Sequence, residues 1–192
     1  MKNFRGVVTA LATPFIDGDL DLSSFKKLLQ AQTEAGLRDF VVNGTTAESP
    51  CLEKEEVKRL IDCAVAETDD DASIVVGVGT NNTKTTIENA KQAESWGAYA
   101  LLVVVPYYNK PNQAGMYEHF KAVAESTKLP IVLYNVPGRT VVSLTAETVG
   151  QLAKIENIVA IKEASGDLEL YSQIRAKTPD DFLILSGDDD TW

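Results

Sequence analysis

The sequence is poor in the residues on which many functional sites depend. Its 192 residues include one histidine and two cysteines. This is too few for the Cys and His ligand sets of structural zinc sites, so no metal is expected, and catalysis built on histidine is nearly excluded. Cys51 and Cys63 do not make a disulfide framework, and we expect a protein of the reducing cytoplasm.

Positive charge and long apolar runs are also scarce. Lys and Arg number 18 against 28 Asp and Glu, which gives a formal net charge of -10. No basic cluster offsets this charge, so neither nucleic acid nor an anionic membrane is an expected partner. No stretch approaches the length of a membrane span, and Met1 to Gly6 lack the apolar segment of a signal peptide.

What the chain does contain is an alternation of short apolar runs with helical patterns. The predicted strands are residues 7–11, 40–42, 74–78, 100–105, 131–133, 158–161 and 182–185. The first six are each followed by apolar residues at helical spacing. Repeated units of this kind build a parallel sheet.

Periodicity alone does not separate a (β/α)₈ barrel from an open doubly wound sheet. The loops after five predicted strands are rich in polar residues, and they begin near Asn43, Pro106, Tyr134, Lys162 and Ser186. An open sheet concentrates its site near one switch point, whereas a barrel brings all carboxyl strand ends to one face. We therefore predict an α/β fold, a single TIM-barrel domain over residues 1–192 in which the seventh predicted strand is the last.

Lys162 directly follows the predicted buried strand Ile158 to Ile161. Burial disfavours an ammonium ion and lowers the lysine pKa, which supplies the neutral amine that a Schiff-base nucleophile needs. A lysine at a strand end can equally bury its stem and extend its charge into water. The strand by itself favours this second interpretation, and the neighbouring strand ends reverse the preference.

Two neighbouring strand ends carry groups that suit a site around Lys162. Gly44, Thr45 and Thr46 offer hydroxyl groups and backbone N–H donors for a small carboxylate, or a turn that caps the next helix. Tyr134 ends the fifth predicted strand as Lys162 ends the sixth, so we expect the two side by side. There a phenol can transfer protons; the alternative is an aromatic lid on the core.

Two proline-containing loops add further candidates. Arg139 follows Pro137-Gly138 and can clamp a second carboxylate through two hydrogen bonds, or it is a surface arginine. Tyr107 and Tyr108 lie between two prolines, and such a stiffened loop can reach a site or a partner subunit. The sequence Gly77-Val78-Gly79 lacks the third glycine of a dinucleotide fingerprint, so we dismiss a nucleotide site there.

Four segments together resemble the dihydrodipicolinate synthase (4-hydroxy-tetrahydrodipicolinate synthase) family, pyruvate-dependent class I aldolases with a barrel fold. In chain order they are Gly44–Ser49, Pro106–Pro111, Tyr134–Thr140 and Ile161–Gly166. The resemblance extends from Gly6 to Asp189. N-acetylneuraminate lyase and keto-deoxy-sugar-acid aldolases of the same superfamily share the lysine and the tyrosine, so Arg139 is the residue that points to the synthase.

The resemblance implies condensation of pyruvate with L-aspartate 4-semialdehyde to give 4-hydroxy-tetrahydrodipicolinate, the committed step toward diaminopimelate and lysine. Lys162 would form a covalent imine with pyruvate, without a cofactor. Tyr134 would transfer protons, and Thr45 and Tyr108 would complete a hydroxyl relay. A neighbouring subunit would supply Tyr108, which implies a homo-oligomer, a dimer or a dimer of dimers. The implied substrate-binding residues are Gly44, Thr46 and Arg139.

The sequence departs from the family pattern in three respects. Ala47 stands where many family members have glycine. We expect the turn to tolerate this alanine because Gly44 keeps the turn tight. The candidate allosteric residues are Ser49, Asn81 and Tyr107, of which Ser49 and Asn81 fit the family pattern. The residues that depart are Lys54, Val57 and Thr85, so we expect weak or absent inhibition by lysine. The family chain is also considerably longer, and the resemblance implies that this sequence lacks the eighth strand and the C-terminal helices. We therefore expect either a longer protein or a truncated one without full activity.

Two alternatives to the synthase therefore stay open. One is another pyruvate-type aldolase or lyase of the superfamily, acting on N-acetylneuraminate or a keto-deoxy-sugar acid. The other is a non-catalytic fragment that only associates with intact subunits.

Overall fold

The computed structural model describes residues 6–190. These residues divide into two compact units, 6–77 with 92–101 and 78–91 with 102–190. Helix α3 (Thr83–Ser95) and strand β6 (Ala100–Val104) are each divided between the two units. The predicted absence of a signal peptide concerns residues 1–6, of which 1–5 lie outside the described part of the chain. The single-domain assignment stays a prediction.

The first unit consists of strands that alternate with helices, preceded by a small hairpin. Its elements are β1 (Val8–Ala10), β2 (Phe15–Ile16), β3 (Asp19–Leu20), α1 (Leu22–Glu34), β4 (Asp39–Val42), a 3₁₀ helix (Ser49–Cys51), α2 (Lys54–Glu67) and β5 (Ser73–Gly77). Strand β4 pairs in parallel with β1 on one side and with β5 on the other. Phe40 of β4 is completely buried.

Local sequence signals set the ends of the helices in this unit. The Asp21 carboxylate accepts a hydrogen bond from the Ser24 backbone N–H at 3.0 Å and caps α1. Gly36 has a φ of +92°, the left-handed conformation that ends a helix. Glu53 and Glu56 form a reciprocal capping box at the start of α2.

The second unit repeats the alternation. Its elements are α4 (Gln113–Glu125), β7 (Ile131–Asn135), α5 (Pro137–Thr140), α6 (Ala146–Leu152), β8 (Ile158–Glu163), α7 (Leu168–Lys177) and β9 (Leu183–Ser186). Strand β8 pairs in parallel with β7 and with β9. All residues of β7 are buried, and Asn112, Thr145 and Asp167 cap the helices that follow them.

The seven strands of the parallel alternation coincide with the seven predicted runs to within one or two residues at each end. Two other features were not predicted. The segment after β7, treated in sequence as a loop, begins with the four-residue helix α5. The other is the pair of short antiparallel strands β2 and β3, which the turn at Asp17-Gly18 joins.

None of the helices in residues 6–190 is long and apolar enough to cross a membrane.

Candidate active site

Tyr134 and Lys162 occupy the same rung of the parallel pair β7 and β8. The Lys162 Nζ atom lies 4.7 Å from the centroid of the Tyr134 ring. Tyr134 is buried and Lys162 is half-buried. The predicted neighbourhood of these two side chains is therefore observed.

The Lys162 amine is in an environment that favours its neutral form. Burial lowers the pKa of Lys162, and the negative charge of Asp189 partly opposes this by raising it. Desolvation is the larger of the two effects, so the pKa stays below the usual value for lysine. A lysine whose pKa is lowered in this way has the main property required of an imine-forming nucleophile.

Gly187, which directly follows β9, leaves room for the lysine side chain. A Cβ atom built on Gly187 would lie 2.5 Å from Lys162 Cε and 2.9 Å from Lys162 Cγ. The Gly187 backbone N–H donates to the Glu163 carbonyl oxygen at 2.8 Å, which fixes the glycine at this position. Any larger residue here would have to displace the lysine.

The next rung of the same strand pair carries a different kind of contact. Asn135 is opposite Glu163 in the register, and both side chains are buried. The Asn135 Nδ2 group donates to Glu163 Oε2 at 2.8 Å, and the Ser165 backbone N–H donates to Glu163 Oε1 at 2.8 Å. Successive residues of a strand project to opposite faces, so this pair lies on the face away from Tyr134 and Lys162.

Arg139 lies in α5, and its side chain is exposed. The segment that carries it has an unusual backbone, because Val141 has a φ of +69°, a conformation that a β-branched residue rarely adopts. The single O–H of Thr140 braces the turn, because the carbonyl oxygens of Val136 and Val142 both lie within hydrogen-bond distance of its hydroxyl oxygen, at 3.1 and 2.8 Å. The structure thus fixes the loop while leaving the guanidinium group accessible.

The loop after β6 presents Tyr108 to solvent. Tyr108 is 86% exposed and has a φ of +67°. Within the loop, the Asn109 backbone N–H donates to the Tyr107 carbonyl oxygen at 2.7 Å. The Asn109 Nδ2 group donates to the Asn81 carbonyl oxygen, also at 2.7 Å. Asn109 therefore connects the segments of the two candidate allosteric residues of this unit, Asn81 and Tyr107.

The first unit contains the remaining candidates. Gly44 is buried, whereas Thr45 and Thr46 are exposed in the turns after β4. The sequence assigned the tight turn to Gly44, but the positive φ values belong to Asn43 (58°) and Glu48 (57°). Gly44 is small for another reason, since a Cβ atom there would lie 3.2 Å from Val41 Cγ1.

Ser49, the third candidate allosteric residue, begins the 3₁₀ helix Ser49–Cys51 and is half-buried. Its predicted function is not tested by this position.

The dismissed glycine pair has a structural explanation. A Cβ atom on Gly77 would lie 2.0 Å from the Asn43 carbonyl oxygen, and one on Gly79 would lie 2.5 Å from the Val104 backbone nitrogen. Both glycines permit close approach of backbone, which explains their presence without a nucleotide. Within residues 6–190, no group of three or more His, Cys, Asp or Glu residues is arranged to hold a metal ion.

Comparison with known proteins gives the same family that the residues at these strand ends resemble. A protein-family model described as the dihydrodipicolinate synthetase family matches residues 3–192. The chain belongs to this family. It is 52% identical over its whole length to 4-hydroxy-tetrahydrodipicolinate synthase of Bdellovibrio bacteriovorus. It is 50% identical over 97% of its length to the enzyme of the same name from Bacillus subtilis.

A solved structure of a dihydrodipicolinate synthase from Bacillus anthracis is also similar. It matches 98% of this chain with a TM-score of 0.95 and 47% sequence identity. This match confirms the predicted fold class, a TIM barrel to which the described residues contribute the seven strands of the parallel alternation. The chain spans 66% and 65% of the two curated relatives and 65% of the solved chain, so it corresponds to about two thirds of each.

Sequence reasoning missed three residues around Lys162. Asn135 and Glu163 follow Tyr134 and Lys162 directly in the chain, and strand alternation alone predicts that they share the opposite face. Gly187 stands directly after the seventh predicted strand, in a loop that was recognised only as polar. The signal that could have identified Gly187 is a glycine at the end of the strand next to the one that carries the proposed lysine nucleophile. There a side chain would collide with the lysine.

Proposed function

We propose that the protein condenses pyruvate with L-aspartate 4-semialdehyde to form 4-hydroxy-tetrahydrodipicolinate. The observation that carries the proposal is the rung on which Tyr134 lies beside Lys162, a lysine whose pKa is lowered by burial. The family membership supports the same chemistry, since the curated relatives bear the name of this synthase.

In the proposed reaction the neutral Lys162 amine attacks the keto carbon of pyruvate, and water leaves as the imine forms. The imine withdraws electrons, so the methyl group of pyruvate loses a proton and an enamine results. Tyr134 donates and accepts the protons of these steps. The chemistry requires no metal and no separate cofactor.

The enamine carbon then attacks the aldehyde carbon of the second substrate. Arg139 binds the carboxylate of that substrate, for which its exposed guanidinium group is suited. The amino group of the semialdehyde displaces Lys162 as the ring closes, which regenerates the free lysine. Gly44 and Thr46 bind the pyruvate carboxylate, and Thr45 and Tyr108 form the hydroxyl relay.

The protein acts as a homo-oligomer in this proposal, with Tyr108 donated by a neighbouring subunit. The 86% exposure of an aromatic side chain held at positive φ supports this assignment, because such a side chain gains burial when a second copy covers it. Ser49, Asn81 and Tyr107 are the candidate allosteric residues of this proposal. Because Lys54, Val57 and Thr85 depart from the family pattern, inhibition by lysine is expected to be weak or absent.

A substrate comparison tests the proposal. The protein is incubated with pyruvate and aspartate semialdehyde in an assay coupled to reduction of the product, and in parallel with N-acetylneuraminate in an assay that detects released pyruvate. Turnover of the semialdehyde alone is expected. Cleavage of N-acetylneuraminate would assign the protein to the lyases instead. Absence of both activities would favour the non-catalytic fragment.

A further inference from the structure

The rung next to Tyr134 and Lys162 contains a buried polar network that the proposed chemistry does not use. Glu163 is 6% exposed and Asn135 is fully buried. A buried carboxyl group is costly unless its oxygens accept hydrogen bonds, and here each oxygen accepts one. Because both oxygens of the buried Glu163 carboxyl group have a hydrogen-bond donor, this network is a specific structural arrangement.

The network extends from Glu163 into the segment that carries Arg139. The Asn135 Nδ2 group also donates to the Ser143 hydroxyl oxygen at 3.0 Å, and Asn135 Oδ1 accepts from the Leu144 backbone N–H at 3.0 Å. After α5 the chain comes back to β7 at Ser143 and Leu144, which contact Asn135. Asn135 therefore fixes both ends of the segment, since it is itself the residue before Val136.

A second side chain holds the same return point from α4. The Gln113 Nε2 group donates to the Ser143 carbonyl oxygen at 2.8 Å. Gln113 Oε1 accepts from the Thr145 backbone N–H at 3.1 Å and from the Thr148 hydroxyl group at 2.7 Å. The segment between these anchors includes Val141 at its strained φ of +69°. Such a conformation persists only where its surroundings enforce it.

The charge that raises the pKa of Lys162 is that of Asp189, and Glu163 lies on the opposite face of β8. What Glu163 can do is connect the backbone of the lysine strand to the arginine segment through Asn135. The same carboxylate also orders the loop after β8 by accepting from Ser165.

We propose that Glu163 and Asn135 are positioning residues that hold the Arg139 segment at a fixed place relative to Lys162. The proposal rests on the proposed function, because Arg139 is taken to bind the second substrate. It predicts that weakening the Glu163–Asn135 contact loosens residues 136–144 and impairs use of the semialdehyde, while imine formation at Lys162 continues.

Hydrogen–deuterium exchange on the 192-residue chain tests the structural part. The variant Glu163→Gln places an amide donor against the N–H donors of Asn135 or Ser165, and exchange of residues 136–144 is expected to rise at least about 10-fold. Exchange of residues 39–42 is expected to stay unchanged. Adding Asn135→Asp restores an acceptor opposite the new amide and is expected to return exchange close to the original rate.

The matched control is Glu169→Gln, the same substitution at an exposed glutamate of α7 that contacts Gln173. It is expected to change exchange less than about twofold. Unchanged exchange of 136–144 in Glu163→Gln, an equal rise at 39–42, or no recovery in the double variant would overturn the proposal. If Glu163→Gln does not fold, the proposal requires that the double variant Glu163→Gln with Asn135→Asp does fold. A double variant that also fails to fold would contradict the proposal.

A kinetic arm separates positioning from general damage. For Glu163→Gln the KM for aspartate semialdehyde is expected to rise at least about 10-fold, while the pyruvate concentration that half-saturates borohydride trapping stays within about twofold. Parallel changes in both would indicate structural damage and contradict the proposal. If the unaltered protein shows neither trapping nor turnover, the proposed function fails, and the exchange experiment still decides whether the network orders the segment.

Discussion

The Lys162 nitrogen lies 4.7 Å from the centre of the Tyr134 ring, because parallel strands β7 and β8 place the two residues on one rung. On the adjacent rung Asn135 contacts Glu163 at 2.8 Å. The two consecutive residues of each strand thus project to opposite faces of the strand pair β7 and β8. One face carries the groups proposed for chemistry, and the other carries the network that anchors the neighbouring loops.

Removal of the Tyr134 hydroxyl group tests its assignment as the proton-transfer group. The variant Tyr134→Phe retains the ring beside Lys162, so the fold and the initial attack on pyruvate are expected to persist. The loss of a general acid–base group is expected to lower kcat by about 10²- to 10⁴-fold. Steady-state kinetics at saturating pyruvate measure this, and a kcat within a few-fold of the original would show that Tyr134 is only an aromatic cover.

The pH dependence of imine formation is expected to respond to Asp189. Its carboxylate raises the pKa of Lys162 against the larger effect of burial, so Asp189→Asn is expected to lower that pKa further. Since the neutral amine is the nucleophile, the rising limb of the trapping rate against pH should move to lower pH. Asp189 is exposed, and added salt is expected to reduce the difference by screening.

The control for this experiment is Asp190→Asn, which removes the same charge from the next exposed residue. Its profile is expected to stay closer to that of the unaltered protein. Equal shifts in both variants would mean that the net charge of the loop, rather than Asp189 itself, acts on the lysine.

A methyl group at Gly187 is expected to displace the nucleophile. The new Cβ atom in Gly187→Ala would lie 2.5 Å from Lys162 Cε, so the lysine must leave its present position. Borohydride trapping with pyruvate is expected to slow at least about 10-fold, a loss typical of a misplaced reacting group. In Gly138→Ala nothing lies within 4 Å of the added atom, and that variant should trap at the original rate.

His119 is expected to make the protein less stable in mild acid. Its Nδ1 atom is 2.8 Å from the Thr83 hydroxyl group, and burial lowers its pKa from 6.5 to about 4. As the pH falls, His119 therefore becomes protonated near pH 6.5 in the unfolded chain but only near pH 4 in the folded protein. The free energy of unfolding should be independent of this group above pH 7 and should fall between these values, by up to about 3 kcal/mol.

Chemical denaturation at several pH values measures the effect of His119. In His119→Gln the decline between pH 6.5 and 4 should be shallower, because the other acidic groups still titrate but this one is gone. Thr83→Val removes the hydrogen-bond partner but leaves the histidine buried, so it should retain the full decline. An identical decline in His119→Gln would rule out His119 as the cause.

The sequence was sufficient to predict the strands from β4 to β8 because their burial on both faces produces nearly continuous apolar runs, as in Ile131–Leu133 and Ile158–Ile161. It also predicted that Tyr134 and Lys162 are neighbours, since equivalent ends of adjacent parallel strands meet at one edge. These predictions depend on local pattern and on the regular geometry of βα units.

The features that sequence did not predict depend on contacts between distant residues. Helix α5 and the positive φ of Val141 are maintained in a segment whose return is held by Asn135 and Gln113. Pro137 in the first turn is compatible with the helix, but no local propensity signals a positive φ at a valine. The size limit at Gly187 exists only because Lys162 passes beside it. Asn43 rather than Gly44 takes the left-handed conformation, and local sequence permits both.

The central claim is that Lys162 is the nucleophile that forms an imine with pyruvate. The protein is incubated with pyruvate, reduced with borohydride and digested, and the modified peptide is located by mass spectrometry, with Lys162→Arg as the control that keeps the positive charge. We predict one pyruvate-derived adduct, located on Lys162 and absent from the Lys162→Arg variant. An unmodified Lys162, or an adduct that persists in the variant, would contradict the account.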